Sequence, residues 1–283
     1  MAVKGRVALV TGASSGLGRA IANELQDAGY RVYGTSRKVM GKDNPYGDFA
    51  LIAMNVDQDA SVEAAIGALV DREGGLDVVV SNAGIGIAGA LEDTSSEEAL
   101  AQFQTNFFGN HRVCRCALPH LRARERAHIV VIGSVAGLIA VPFQGMYSAA
   151  KFALEGYCEA LRMELRGSSV RIAIVEPGDF ATGLTAARQE TIGSGQGSAY
   201  RATFEAALAV IKKDETGGAD PVLVSRVVKR IIETDRPALR HPVGAFLQTA
   251  VARAKPFLPA AAFETLIADH YKCIGLQENF WPW

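Results

Sequence analysis

Short apolar runs recur along the first two-thirds of the chain, each followed by a segment with helical spacing. The first is Val7-Ala8-Leu9-Val10, after which Leu17, Ile21 and Leu25 repeat every four residues as far as Gly29. Such runs are apolar on both faces, so both faces must be covered. Strands of that kind alternating with helices fold as a parallel sheet wrapped by helices on each side. The same reading gives strands at 31–36, 51–54, 77–80, 129–132 and 170–175, and helices over 61–72, 97–121 and 146–166. Beyond Pro177-Gly178 the periodicity fades over 182–199, where Gly193-Ser194-Gly195-Gln196-Gly197-Ser198 reads as flexible. Helical spacing returns at 200–212 and 221–233, and a last strand is expected over 238–243. The predicted class is α/β, a doubly wound parallel sheet in a single domain spanning 1–283.

Composition narrows what such a domain does. With 283 residues, 49% apolar and 21% charged, the chain can bury a full core. Its 29 Lys plus Arg against 30 Asp plus Glu leave a net charge of −1, without the basic footprint of a nucleic-acid binder. No apolar run approaches the ~18 residues of a membrane span. Lys4, Gly5 and Arg6 interrupt the start before a secretory leader can form. Four cysteines in this length do not make a disulfide framework, and Cys114 and Cys116 lie two apart on a helix with no matching ligand cluster. A cytoplasmic protein with no metal, nucleic-acid partner or membrane span is expected.

Thr11-Gly12-Ala13-Ser14-Ser15-Gly16-Leu17-Gly18 joins the first strand to the first helix. Unpaired backbone N–H groups and the positive end of the helix dipole favour a phosphate there. A Cβ at the glycines would obstruct the turn, the phosphate or the helix–strand packing. Gly12, Ser14, Ser15, Gly16, Leu17 and Gly18 are therefore candidate dinucleotide contacts, and the fold is expected to be Rossmann-like. At the end of the second strand an acid would hold a ribose 2′-OH, and an arginine a 2′-phosphate. The run Tyr33-Gly34-Thr35-Ser36-Arg37-Lys38 has no acid before Asp43. Arg37 with Ser36 thus predicts NADP(H) rather than NAD(H).

Tyr147 and Lys151 are four apart on a predicted helix and share a face. An ammonium beside a phenol favours the phenolate, which suits a general acid or base on an alcohol or carbonyl. Ser134 ends the fifth strand at the same edge of the sheet.

Thr11 to Gly18, Asn82-Ala83-Gly84, Asn106, Ser134, Tyr147, Lys151 and Pro177-Gly178, in this order, resemble the short-chain dehydrogenase/reductases of the shorter, non-extended branch. The resemblance covers about Lys4 to Val243. It implies that Tyr147 is the catalytic acid/base and that Lys151 binds the nicotinamide ribose and lowers the tyrosine's pKa. It implies that Ser134 bonds the substrate oxygen and that Asn106 holds a relay water. Asn82, Ala83 and Gly84 would flank the adenine-side ribose. Pro177, Gly178 and Thr182, with Phe180 between them, would meet the nicotinamide. Asn55-Val56 stands where the family has Asp-Val near the adenine, with Asp57 as a substitute acid. Subunits of the family meet through the helices carrying Asn106 and Tyr147. Ser148, Ala149 and Ala150 would permit close packing there, so a homodimer or homotetramer is expected.

Walls over the nicotinamide are expected from 85–91, 135–144 and from Phe180 to the Gly/Ser tract at 193–198, largely apolar stretches with no arginine before Arg188. Ser134, Val135, Ala136, Phe143, Gln144, Tyr147, Phe180 and Leu184 are the candidate substrate contacts. A moderately large apolar ketone or secondary alcohol fits them, and the likeness extends to hydroxysteroid and retinol dehydrogenases. Residues 182–220 are expected to form a helical substrate lid hinged near Gly193–Ser198, with a C-terminal extension over 244–283. Two other readings are a catalytically silent NADP-sensing protein and a sugar-nucleotide epimerase or dehydratase. The complete Asn106, Ser134, Tyr147 and Lys151 set speaks against the first, and the glycine spacing with the short C-terminal part against the second.

Overall fold

The computed structural model describes residues 5–37 and 49–273. In chain order they form β1 (Val7–Val10), α1 (Gly16–Asp27), β2 (Arg31–Ser36), β3 (Ala50–Ala53), α2 (Asp59–Glu73), β4 (Val78–Ser81), β5 (Ile87–Ala88) and α3 (Ser96–Phe103). A π turn (Gln104–Phe108) leads into α4 (Gly109–Arg122), β6 (Ala127–Ile132), α5 (Gly145–Glu164) and β7 (Val170–Pro177). Then come α6 (Leu184–Ala187), β8 (Gln189–Glu190), α7 (Arg201–Thr216), α8 (Val222–Glu233), β9 (Arg240–Val243), α9 (Phe246–Ala254) and α10 (Ala260–His270). Among the described residues the main sheet is parallel throughout, in the order β3-β2-β1-β4-β6-β7-β9. Chain direction across the sheet reverses between β1 and β4, which opens a crevice beyond their carboxyl ends.

Strand alternation divides the core into two layers. Leu9, Val79, Ile129, Val131, Ile172 and Ile174 face α2, α4 and α5. Val10, Val80, Val130, Ala173 and Val175 face α1 and α8. Both faces are thus dry, which is why each strand reads as an unbroken apolar run.

The structure departs from the sequence reading at four places. The helix expected over 97–121 is interrupted by the π turn, so α3 and α4 are separate elements. The extension beyond 244 holds α9 and α10, which the sequence left unassigned. Gly193–Ser198 is tied down: Ser194 and Ser198 both donate to Asp93 Oδ2, at 3.0 and 2.6 Å, and Ser194 Oγ also accepts from Ala90 N. Ser148 and Ala150 are buried inside the subunit, leaving Ala149 alone of the three exposed on α5. Lys38, Asp43 and the Phe280-Trp281-Pro282-Trp283 end lie outside the described residues.

Candidate active site

The glycine turn leaves β1 and enters α1 with Gly12 at φ +67° and Gly16 at φ +52°, conformations costly for other residues. A Cβ at Gly18 would lie 2.5 Å from Asn82 Nδ2 and nearer still to Gly12 O. Thr11 and Asn82 lock the turn to the end of β4. Asn82 N and Ala83 N both donate to Thr11 Oγ1 at 2.9 Å, and Asn82 Nδ2 donates to Thr11 O at 2.9 Å. The N-terminus of α1 has no side-chain cap from Ser15 and no acid in its first turn. Its backbone donors are thus available to an anion.

Arg37 is exposed at the end of β2 and has no ion-pair partner among the described residues. Asn55 Oδ1 accepts from Asp57 N at 3.2 Å, and Ser61 Oγ accepts from Asn55 N at 2.9 Å. Val56 packs against Gly109, where a Cβ would lie 2.9 Å from Val56 Cγ2. Asp57 Oδ1 is buried with no protein partner, an acceptor awaiting a donor. The uncapped helix end, the glycine cradle and this orphan carboxylate oxygen fit a dinucleotide.

Ser134 follows β6 in extended conformation and caps the short 3₁₀ turn Val135–Gly137. Its Oγ accepts from Ala136 N at 3.0 Å and donates to Pro177 O at 3.4 Å. It also lies close enough to the Tyr147 hydroxyl to favour its ionised form. Lys151, buried on the same face of α5, donates to Ile132 O at 2.8 Å, and its Nζ lies 5.7 Å from the Tyr147 ring centre. Desolvation pushes the Lys151 ammonium down to about 8. It also raises Tyr147 above the ordinary phenol range, and the nearby Ser134 hydroxyl only partly offsets it. The lowering expected from Lys151 is therefore not seen here, because the ammonium is turned to a carbonyl and the phenol is desolvated.

Asn106 sits in the π turn. Its Oδ1 accepts from Ile85 N at 2.8 Å and its Nδ2 donates to Ile85 O at 3.0 Å. The side chain therefore clamps the loop after β4. Gly84 lies beside it, where a Cβ would approach Asn106 Oδ1 at 3.3 Å.

The expected walls are brought together only in part. Ala136 packs with Val141, Ile211 and Tyr147, and Val135 with Ile139, Ala252 and Phe263. Phe143, at φ +59°, packs on Ala88, Phe204 and Leu208, while Gln144 caps α5 and is buried. Phe180 does not line the crevice. Its side chain is 4% exposed and packs in the layer containing Val224 and Val228, because a bridge to Ala219 turns it under the sheet. Leu184 lies in α6, but its side chain is outside the described set. Thr182 and Gly16 are neighbours across the mouth, 3.4 Å between a Gly16 Cβ and Thr182 Cβ. A cavity of about 540 Å³ opens beside Thr182, Thr185, Arg188 and Lys212.

Three groups escaped the sequence reading. Gln102, fully buried one turn before Asn106, accepts from Ile87 N at 2.8 Å and donates to Ile85 O at 2.9 Å. Its i,i+4 spacing to Asn106 was the available signal. Arg188, with a side chain 3% exposed, pairs with Glu215 of α7, which also accepts from Thr185. Gln248 of α9 accepts from Asp179 N at 3.1 Å and donates to Asp179 Oδ2, and it fills the space a Cβ at Gly178 would need. Burial first, then Asp214 and Glu215, push Asp179 up to about 6. Glu215, Arg188 and Asp179 all act on the Tyr147 hydroxyl through space.

Comparisons with known proteins agree with this geometry. The family model described as short chain dehydrogenase matches residues 6–193. A 3-ketodihydrosphingosine reductase of Bacteroides thetaiotaomicron is 38% identical over 254 residues, covering 90% of this chain and 93% of its own. Retinol dehydrogenase 8 of Bos taurus is 32% identical over 260 residues, covering 85% of this chain and 82% of its own. A short-chain dehydrogenase from Streptomyces avermitilis superposes with a TM-score of 0.80 at 28% identity, covering 95% of this chain and 98% of its own.

Proposed function

The chain belongs to the short chain dehydrogenase family of oxidoreductases, and from that premise we propose that it interconverts a ketone and a secondary alcohol on a long apolar substrate using NADP(H). The observation that carries this reading is the grouping of Ser134, Tyr147 and buried Lys151, whose Nζ lies 5.7 Å from the Tyr147 ring centre, at the crevice that the uncapped α1 also faces. When bound, the nicotinamide supplies or takes the hydride. Gly12 to Gly18 and Asn82 to Gly84 would hold its phosphates and ribose, Asp57 the adenine edge, and Thr182 the nicotinamide end.

Tyr147 gives its hydroxyl proton to the substrate oxygen in reduction and takes it back in oxidation. Ser134 donates to that oxygen as negative charge develops on it. Lys151 places a positive charge near the resulting phenolate, the state its ammonium stabilises. Asn106 spends its side-chain amide on Ile85 and thereby holds the loop after β4, and the relay water is assigned to its vicinity. Arg37 selects NADP(H) by offering a planar donor set to the 2′-phosphate.

Substrate class rests on two supports. The walls contributed by Val135, Ala136 and Phe143 are apolar, and two relatives carry names of reactions on long apolar molecules. A 3-keto long-chain amine such as 3-ketodihydrosphingosine is therefore the first compound to try. NADPH oxidation, with retinal, steroid ketones and short keto esters in parallel, tests it. Turnover fastest on the long-chain ketone supports the proposal; turnover confined to small polar ketones overturns it.

A homo-oligomer is part of the same reading. Ala149, Phe152, Gly156, Ala160 and Met163 form one exposed apolar stripe along α5. Light scattering that gives a monomer at working concentration would exclude pairing through it.

A further inference from the structure

α9 and the turn after it carry an outer face that nothing in the described fold covers. Phe246 is 85% exposed, Leu247 71% and Phe257 86%, and Leu258 adds to them. Phe246, Ala250 and Arg253 recur at i, i+4 and i+7, so they lie along one side of α9, and Phe257 is exposed at the end of the 3₁₀ turn Lys255–Phe257 that follows. The opposite side is fixed to the protein. Thr249 and Ala252 are buried, Val251 packs on Val135 and Ile139, Gln248 grips Asp179, and Lys255 Nζ donates to Leu138 O at 2.9 Å. This inner side rests on the turn that follows Ser134. The outer face is therefore the outside of the wall that closes the catalytic crevice.

Exposed phenylalanines on a helix and the turn after it need a cover of matching chemistry. The segment from Phe246 to Leu258 contains Arg253 and Lys255 and no acid. Arg253 is exposed in the middle of the apolar stripe. A second copy of this chain pairing about a twofold axis would set Arg253 near its own image, with no carboxylate from the segment to meet it. An anionic lipid surface supplies both needed parts, acyl chains for the phenylalanines and headgroup phosphates for the arginine.

We propose that the outer face of α9 docks on an anionic lipid bilayer, so that an apolar substrate passes from the lipid into the crevice behind it. The helix lies in the interface and does not cross it; among the described residues no helix is long and apolar enough to span. Its purpose rests on the long-chain substrate proposed above, but the docking itself is tested without any turnover.

The test is flotation of the full chain with vesicles of phosphatidylcholine alone and of phosphatidylcholine with phosphatidylglycerol. The expected result is binding to the anionic vesicles and weaker binding to the neutral ones. Phe246→Ser with Phe257→Ser should cut the partition coefficient roughly tenfold or more. Arg253→Glu should weaken binding to anionic vesicles about fivefold while leaving the neutral ones unchanged. Both variants should keep wild-type NADPH binding and wild-type turnover of a water-soluble ketone, which reports on folding and on the proposed reaction separately from docking. The proposal is overturned if the wild type floats with neither vesicle, or if the variants float as well as the wild type. It is also overturned if the double phenylalanine variant lowers the oligomeric state, which would assign the face to a second copy.

Discussion

Arg37 directly follows β2 and is exposed, and among the described residues no carboxylate pairs with it. On the proposed reading, a 2′-phosphate would supply the partner that this planar cation lacks among the described residues. Replacing it by aspartate exchanges an anion site for a hydroxyl acceptor. Arg37→Asp should lower the preference for NADPH over NADH by about 10- to 100-fold, the range for losing a charged hydrogen bond. Steady-state kinetics with each cofactor read this directly; an unchanged ratio removes Arg37 from cofactor choice. The same scale shows why some candidate residues could be grouped from the sequence. Tyr147 and Lys151 are one helical turn apart, and Ser134 ends a strand, so local spacing alone put them at one edge. Phe180 was misread because its position after Pro177-Gly178 suggests the crevice, while its bridge to Ala219 turns the ring under the sheet.

Gln248 couples two elements that the sequence leaves 69 positions apart. Its amide receives the Asp179 N–H and donates to the Asp179 carboxylate, which fixes the turn after Pro177-Gly178, the stretch proposed to meet the nicotinamide. Gln248→Leu should strand both Asp179 groups and weaken cofactor binding by about 1–3 kcal/mol. The exchange Asp179→Asn with Gln248→Glu keeps a carboxylate facing an amide and should restore it. Titration of NADPH by fluorescence distinguishes a lost latch, rescued by the exchange, from general damage, which is not. A second element-level feature lies where α5, β7 and β9 meet. Burial, then the neighbouring Glu155, push the Glu176 carboxyl up to about 8, although Glu176 Oε2 accepts from His241 N at 2.7 Å. An unfolded glutamate titrates near ~4.3. The folded state therefore holds the proton more tightly, so this contribution to stability is full below ~4.3 and is lost as pH rises through about 8. Glu176→Gln should flatten the fall in melting temperature between pH 5 and 8 and raise it at pH 8. A variant that melts lower at pH 8 than the wild type would contradict that account. The π turn holding Asn106 had no signature in the sequence. One helical spacing ran across it, and the break shows only in the backbone bonding.

At the scale of the whole molecule the sheet was legible because both its faces are dry, so each strand announces itself without help from its neighbours. The C-terminal helices were not, for a related reason. Phe246, Leu247 and Phe257 face outward, which erases the apolar-in, polar-out contrast by which a surface helix is recognised. Gly193–Ser198 looked free because its anchor, Asp93, lies about a hundred positions earlier in the chain. The proposed function depends on the meeting of three distant stretches at one crevice: the glycine turn after β1, Ser134 after β6, and Tyr147 with Lys151 on α5. The most direct test compares the wild type with Tyr147→Phe for NADPH oxidation on a long-chain 3-keto amine, with NADPH affinity measured on both. Turnover should fall about 10²- to 10⁴-fold or beyond detection, as for loss of a general acid, with NADPH affinity unchanged. Turnover within a few-fold of the wild type would contradict the assignment of Tyr147 as the proton donor, and with it the proposed reaction.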